Sequence, residues 1–376
     1  MNKELNINQI TIAWLNSING ISNGKIDKLL EYFGSPEELW NNFNSEKYKL
    51  NILKPEIICE LSKTKDGFEE FLYNKLSDEN AFVVTYFDEE YPKKLKNING
   101  APYVLFGKGN LSSTNNLSIA VVGSRKATNY GKWTAEKFTR ELSELGVTII
   151  SGLATGIDSI AHKTAIKCNA KTIGVIGCGI NIVYPKKNEE LYNEIADSNG
   201  AVITEYPFGM EPMSSNFPDR NRIISGLSDG ILIIEAEEKS GTLITAGHGA
   251  NQGKEIFAVP GNIDSLYSKG TNALIKDGAK MVTCIDDIIE EILELKKIIN
   301  NKKKKINYEN INIDELKIIN FLTLNDATIY EISENIDLEI GEILSTLTIL
   351  ELKGVVKQIS GKKFVLINWI SITIDI

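Results

Sequence analysis

From Leu117 onward the chain alternates short β-branched runs with helical stretches, and no other feature restricts its fold as much. The runs "LSIAVVGSR", "VTIISG", "KTIGVIG", "AVITEY", "GILIIEA", "EIFAVPG" and "KMVT" are short apolar segments rather than apolar–polar alternations. Between most of them lie roughly 10–20 residues of helical pattern, such as "YGKWTAEKFTRELSELG" and "GIDSIAHKTAIKC". Strands with no polar face must be covered on both sides, and parallel sheets with crossover helices achieve this. The expected fold class is therefore α/β, with a Rossmann-like parallel sheet at its core. Residues 80–110, "AFVVTYFDEEYPKKL…APYVLFGKGN", are expected to dock onto that sheet as an extension.

The flanking segments have different textures. Residues 1–78 read as short helices: Ile26, Leu29, Leu30 and Phe33 repeat at helical spacing, and Ser35-Pro36 marks the start of another helix. "NGISNGK" resembles the turn of a helix-hairpin-helix (SAM-like) unit, and it reads either as a packing turn or as a phosphate contact. The core with its extension spans 79–295. Residues 296–310 hold a lysine-rich run, "KKIINNKKKK", expected as a solvated linker. Residues 311–376 give three helical patterns and then a hairpin around Gly361, the order of a winged helix.

In open parallel sheets ligands bind beyond the C-terminal ends of the strands. Three of the loops there are rich in glycine and small hydroxyl residues: Gly123, Ser124 and Arg125 after the first core strand; Ser151, Gly152 and Gly156 after the second; Lys239, Ser240, Gly241 and Thr242 after the fifth. Free N–H groups at a helix start attract phosphate. Asp158, in the first turn of its helix, suits the helix dipole. The usual nucleotide signatures are missing: Gly253-Lys254 is followed by Glu255, and Ile182 occupies the third glycine position of "GVIGCGINIV".

One further stretch, "SSNFPDRNRIISGLSD" (214–229), leads into the fifth strand. Phe217 offers a flat face for a base, Arg220 and Arg222 offer guanidinium forks, and Asn221 lies between them. On spacing alone two readings stand. Either this is a single-strand nucleic-acid site, or Phe217 is core and the arginines pair with carboxylates such as Asp219 or Glu235.

The chain carries 41 Lys and Arg against 50 Asp and Glu, a formal net charge of −9. Any nucleic acid must then bind a local patch and not the overall field. The four cysteines form no CxxC pair and the two histidines, His162 and His248, have no HxxxH spacing, so no metal centre or cofactor is expected. His162 is expected to be packed or capping. No run approaches the ~18 apolar residues of a membrane span, and the chain is expected to be soluble and cytoplasmic.

Taken together, "VVGSR", "SGLATGIDSIAH", "FPDRNRIISGLSDGILIIEA", "SGTLITA", "VPGN" and "GTNALIKDGA" resemble the DNA-processing protein A (DprA/Smf) family, over about residues 5–368. The resemblance implies a non-catalytic homodimer that binds single-stranded DNA, protects incoming strands in natural transformation and helps load the RecA recombinase. It implies DNA contacts at Arg125, Phe217, Arg220, Arg222 and Lys239 to Thr242. Some members have a basic residue where this chain has Ser214. Asn262 to Ile275 is the dimer face by resemblance.

The alternative is a nucleotide-hydrolysing enzyme of the lysine decarboxylase-like Rossmann group. Thr245 stands where that group's loop needs a catalytic glutamate. Residues 311–376 hold ten acidic and five basic residues, and the third helix carries Glu339, Glu342 and Glu351. A DNA-reading helix needs lysine or arginine, so a protein contact is expected there, or a weak DNA contact through Lys357, Lys362 and Lys363.

Overall fold

A computed structural model describes residues 4–49, 51–298, 312–322, 326–353, 355–359 and 361–366. The lysine-rich segment expected as a linker lies outside the described residues from 299 onward. The chain forms two compact units, Met1–Ile292 and Leu293–Ile376.

The first unit begins with five helices: α1 (Ile7–Ser17), α2 (Asn23–Phe33), α3 (Pro36–Glu46), α4 (Pro55–Lys65) and α5 (Phe68–Asp78). Ser35 caps α3 by accepting the Glu38 N–H at 3.1 Å, with Pro36 at the first helical position. Trp14, fully buried, stacks edge-on against Trp40 and Phe43. Their core is continuous with the sheet's: Leu15, Leu61 and Leu72 share one apolar cluster with Val83, Phe106, Ile176 and Val202. Gln9 and Asn6 fasten the join by donating to the Asp88 carboxylate at 3.1 and 2.8 Å.

The sheet is built from β1 (Phe82–Thr85), β2 (Val104–Gly109), β3 (Ser118–Val122), β4 (Thr148–Ser151), β5 (Thr172–Val175), β6 (Ala201–Thr204), β7 (Gly230–Ile233), β8 (Glu255–Ala258) and β9 (Lys280–Met281). Its helices are α6 (Lys93–Lys96), α7 (Asn129–Glu144), α8 (Ile157–Lys167), α9 (Glu189–Asp197), α10 (Asn216–Leu227), α11 (Gly241–Asn251), α12 (Lys269–Lys276) and α13 (Asp286–Ile289). Among the described residues the spatial order is β1-β2-β6-β5-β4-β3-β7-β8-β9. Strands β3 to β9 pair in parallel, while β1 and β2 join antiparallel at the β6 edge. The expected extension is therefore a hairpin that lengthens the sheet. Strands β3, β4 and β7 are buried along their whole length, as segments without a polar face require.

Topology then determines where a ligand can enter. From β3 the chain proceeds outward through β4, β5 and β6, then returns to place β7 on the other side of β3. At such a reversal neighbouring crossover helices diverge to opposite faces and open a crevice at the strand ends. The loops after β3, β4 and β7 come from adjacent strands, so they meet there.

The second unit contains α14 (Ile313–Leu322), β10 (Ala327–Thr328), α15 (Ile329–Asn335), α16 (Ile340–Leu352) and the hairpin β11 (Val356–Ile359) with β12 (Lys363–Leu366). The strands form a small sheet in the order β10-β12-β11. Ile318, Ile332, Ile343, Leu347, Val356 and Phe364 close its core.

Candidate nucleic-acid interface

A cleft of about 680 Å³ lies at this crevice, and its lining includes Gly123, Ser124, Arg125, Phe217, Arg220, Asn221, Ser240, Gly241 and Thr242. Helix α10 supplies one wall. Side chains three, four and seven residues apart share a helix face, so Phe217, Arg220, Asn221 and Ile224 all face the cleft. The start of α10 is anchored by buried Asn216, whose Nδ2 donates to Gly177 O at 3.0 Å. Asn221 ties α10 to α11 by donating to Gly241 O at 3.3 Å.

At the mouth, Arg125 is exposed and Phe217 half-buried, with the guanidinium 5.4 Å from the ring centroid. This is cation–π range. The Arg125 loop is rigidly held: Ser124 N–H donates to Glu235 O at 2.9 Å, Ile157 N–H to Ser124 O at 3.2 Å, and Lys126 N–H to Ser124 Oγ at 3.1 Å.

The loop after β4 differs from the sequence expectation. Ser151 is fully buried and its hydroxyl donates to Val121 O at 2.7 Å, so it lies under the sheet edge and outside the cleft. The N–H groups of Gly152 and Ala154 donate to the Asp158 carboxylate at 3.1 and 3.4 Å. An internal carboxylate thus occupies the place where a phosphate was expected. Burial pushes the Asp158 carboxyl up from its usual range, with Arg220 and these N–H groups opposing. Gly152 lies between the two charged groups: a Cβ there would stand 2.7 Å from Arg220 Nη2 and 2.8 Å from Asp158 Oδ2. Gly156, at φ +83°, lets the chain pass against Ser124 O and the Arg125 backbone, a close approach of two loops rather than a ligand contact.

The start of α7 is closed in the same way. Glu235, buried, accepts from Thr128 N–H at 3.0 Å and from the Thr128 hydroxyl. Among the described residues the start of α11 has a neutral cap with no carboxylate behind it, the Ser240 hydroxyl, which accepts the Thr242 N–H at 3.1 Å, and the start of α8 has no side-chain cap. Lys239 is exposed just before it and does not line the cleft.

The two arginines of α10 are not free forks. Arg220 is 4% exposed; its Nη1 donates to Gly152 O at 2.8 Å and to Val175 O. Burial pushes its pKa down to about 10. Arg222 falls on the opposite helix face and forms a bidentate pair with Glu205, at 2.7 and 2.6 Å. Neither carboxylate named from sequence, Asp219 or Glu235, takes an arginine side chain: Arg222 pairs with Glu205, and Arg220 is held by backbone carbonyls with the Asp158 charge nearby across Gly152. His162 is packed, fully buried with Nδ1 2.7 Å from Thr172 Oγ1.

Tyr184, Lys126 and Glu237 also line the cleft and escaped the sequence reading, as did Asp158 as a wall residue. Tyr184 is 45% exposed and its ring lies 5.5 Å from that of Phe217. Thr245, where the rival enzyme group needs a glutamate, is buried at the cleft wall.

The chain is similar to known proteins in sequence and in fold. Protein Smf of Escherichia coli is 41% identical over 217 residues, which cover 58% of this chain and 58% of that protein, so the match spans less than two thirds of the relative's length. The X-ray structure of DNA processing protein A from Streptococcus pneumoniae superposes with a TM-score of 0.64 at 34% identity, over 77% of this chain and 99% of that one. DNA processing protein A from Helicobacter pylori, described for its single-stranded DNA binding mode, superposes with a TM-score of 0.52 at 29% identity, over 57% of this chain and 96% of that one. The model of the family called DNA recombination-mediator protein A matches residues 82–293, a span that contains every strand of the large sheet and every loop of the cleft. The chain belongs to that family.

Proposed function

We propose that the chain binds single-stranded DNA in the cleft without catalysis, protects incoming strands in natural transformation, and helps load the RecA recombinase. The observation that carries this reading is the Arg125 guanidinium held over Phe217 at the mouth of the switch-point cleft. A base takes the aromatic face, and phosphates take Arg125, Lys126 and the start of α11 at Ser240, Gly241 and Thr242. Stacking on Phe217 demands an unpaired base, which gives single strands preference over duplex. The relative from Helicobacter pylori supports the substrate class. In this reading Arg220 positions Phe217 from beneath and Arg222 braces the far side of α10.

The nucleotide-hydrolysing alternative fits less well. Thr245 brings no carboxylate to the required position, and Asp158 and Glu235 already take N–H groups of the loop before α8 and of the α7 cap residue Thr128. The second unit serves as a winged helix for protein contact: α16 exposes Glu339, Glu342 and Glu351 beside Ile340, Leu344 and Leu352. Residues 1–78 act as a SAM-like helical domain. The protein works in the cytoplasm as a homodimer through Asn262 to Ile275, where Ile263 is 92% exposed. Among the described residues no helix is long and apolar enough to cross a membrane.

The test is fluorescence anisotropy with labelled oligothymidine, single- and double-stranded, across salt. Arg125→Ala should weaken single-strand binding about tenfold and lower the salt slope by about one. Phe217→Ala should weaken binding and leave the slope unchanged. Wild-type affinity in both variants would remove the DNA from this cleft.

A further inference from the structure

Tyr184 holds no part of the core, yet it stands at the mouth of the cleft. An aromatic side chain left 45% exposed beside a half-buried one invites a partner. Its position is well supported. Asn188, buried at the end of the same turn, donates Nδ2 to Leu153 O at 2.8 Å and to Ser159 Oγ at 2.9 Å. This pins the Asn188 end of the turn against the loop after β4. The rings of Tyr184 and Phe217 lie 5.5 Å apart with their planes inclined by 35°. Directly contacting rings have centroids about 4.5–7 Å apart, so no base fits between these two. Each ring must instead receive a base on its own outward surface. Lys186 and Lys187 follow Tyr184 on the same turn and are both exposed.

We infer that Tyr184 is a second base-stacking residue, so that the cleft grips two successive unpaired bases, one on Phe217 and the next on Tyr184. Lys186 and Lys187 then lie where the strand leaves the cleft and meet its phosphates. This inference rests on the single-strand reading above and adds the direction of exit, from α10 toward the turn after β5.

The experiment compares wild type, Tyr184→Ala, Tyr184→Phe, Phe217→Ala and the Tyr184→Ala/Phe217→Ala double variant at fixed salt. The probes are oligothymidine and a base-free deoxyribose–phosphate oligomer of equal length. Tyr184→Ala should lose about tenfold on oligothymidine and nothing on the base-free chain, because only stacking is removed. Tyr184→Phe should stay within about twofold, and the double variant should lose both increments. Three results overturn the inference while leaving the cleft as the DNA site. In the first, Tyr184→Ala binds like wild type although Phe217→Ala does not. In the second, Tyr184→Phe loses as much as Tyr184→Ala. In the third, Tyr184→Ala costs nothing once Phe217 is gone, which would make Tyr184 only a support for the Phe217 ring. Unchanged binding in every variant removes the single-strand reading itself.

Discussion

Arg220→Ala separates a positioning arginine from a phosphate-binding one. The guanidinium sits beneath the cleft, 4% exposed, and Nη1 donates to the carbonyls of Gly152 and Val175. On the other side of Gly152 lies the buried Asp158 carboxylate. Truncation strands two buried acceptors, at about 1–3 kcal/mol each. It also takes from the buried Asp158 carboxylate the nearby guanidinium charge that opposes its burial, although the two groups form no direct ion pair. These losses share atoms and do not add, so the expected total is about 4 kcal/mol. For a unit of this size that lowers the melting temperature by roughly 6–7 °C.

Thermal unfolding followed by circular dichroism reads the effect, with single-strand binding measured well below the variant's midpoint. Asp158→Asn in the Arg220→Ala background should restore about 2 kcal/mol, since it removes the stranded charge and keeps an acceptor for the Gly152 and Ala154 N–H groups. Arg220→Lys should fall between, because an ammonium cannot serve both carbonyls in the geometry of the guanidinium. An Arg220→Ala protein that melts like wild type yet loses DNA would refute the positioning role and return Arg220 to the phosphate contacts.

Glu205→Gln should cost about 2 kcal/mol through the partly buried Arg222 pair while single-strand affinity stays within about twofold; a large affinity loss without a stability loss would place Arg222 in the DNA path. His162 supplies a pH dependence. Burial depresses its pKa to about 3, below the ordinary value near 6.5, so between those values the unfolded chain binds the extra proton. Its contribution to stability is intact above about pH 6.5 and declines as pH falls, reaching a loss of about 1.4 kcal/mol at pH 5.5. That figure holds for any folded-state value below about 4.5. Denaturant titrations of wild type and His162→Gln at pH 7.5 and 5.5 should differ by this amount, and parallel curves would show that the ring protonates without cost.

The sheet was legible because its signal is local. Each apolar run from "LSIAVVGSR" to "KMVT" became a strand at its expected place, since a segment without a polar face has few other stable fates. Strand order was not legible: nothing within "VLFGKG" indicates that β2 pairs antiparallel with β6, because that depends on which edge the preceding crossovers leave open. In the cleft, the residue types of "FPDRNR" are legible in the sequence but their directions are not. At about 100° per residue, Arg222 stands some 140° round the helix from Phe217, so it could not share the aromatic's face. Arg220 does share that face, but it points inward where the loop after β4 supplies carbonyls.

Tyr184 was missed for a different reason. Its loop had been judged by a glycine motif that fails at Ile182, although "YPKK" repeats the aromatic–proline–basic chemistry of "FPDR" two loops later. In the proposed reading, the same structure lets an acidic chain keep an anion-binding cleft. Asp158 takes N–H groups of the loop before α8, and Glu235 takes the cap residue of α7, Thr128, so that their charge is spent on the protein's own N–H and hydroxyl groups. In that reading an external anion meets the start of α11 and the exposed cations Arg125 and Lys126, which line the cleft together with Phe217 and Tyr184. On the same reading, internal carboxylates thus narrow the site from a general phosphate seat to a surface on which phosphate and base must be offered together.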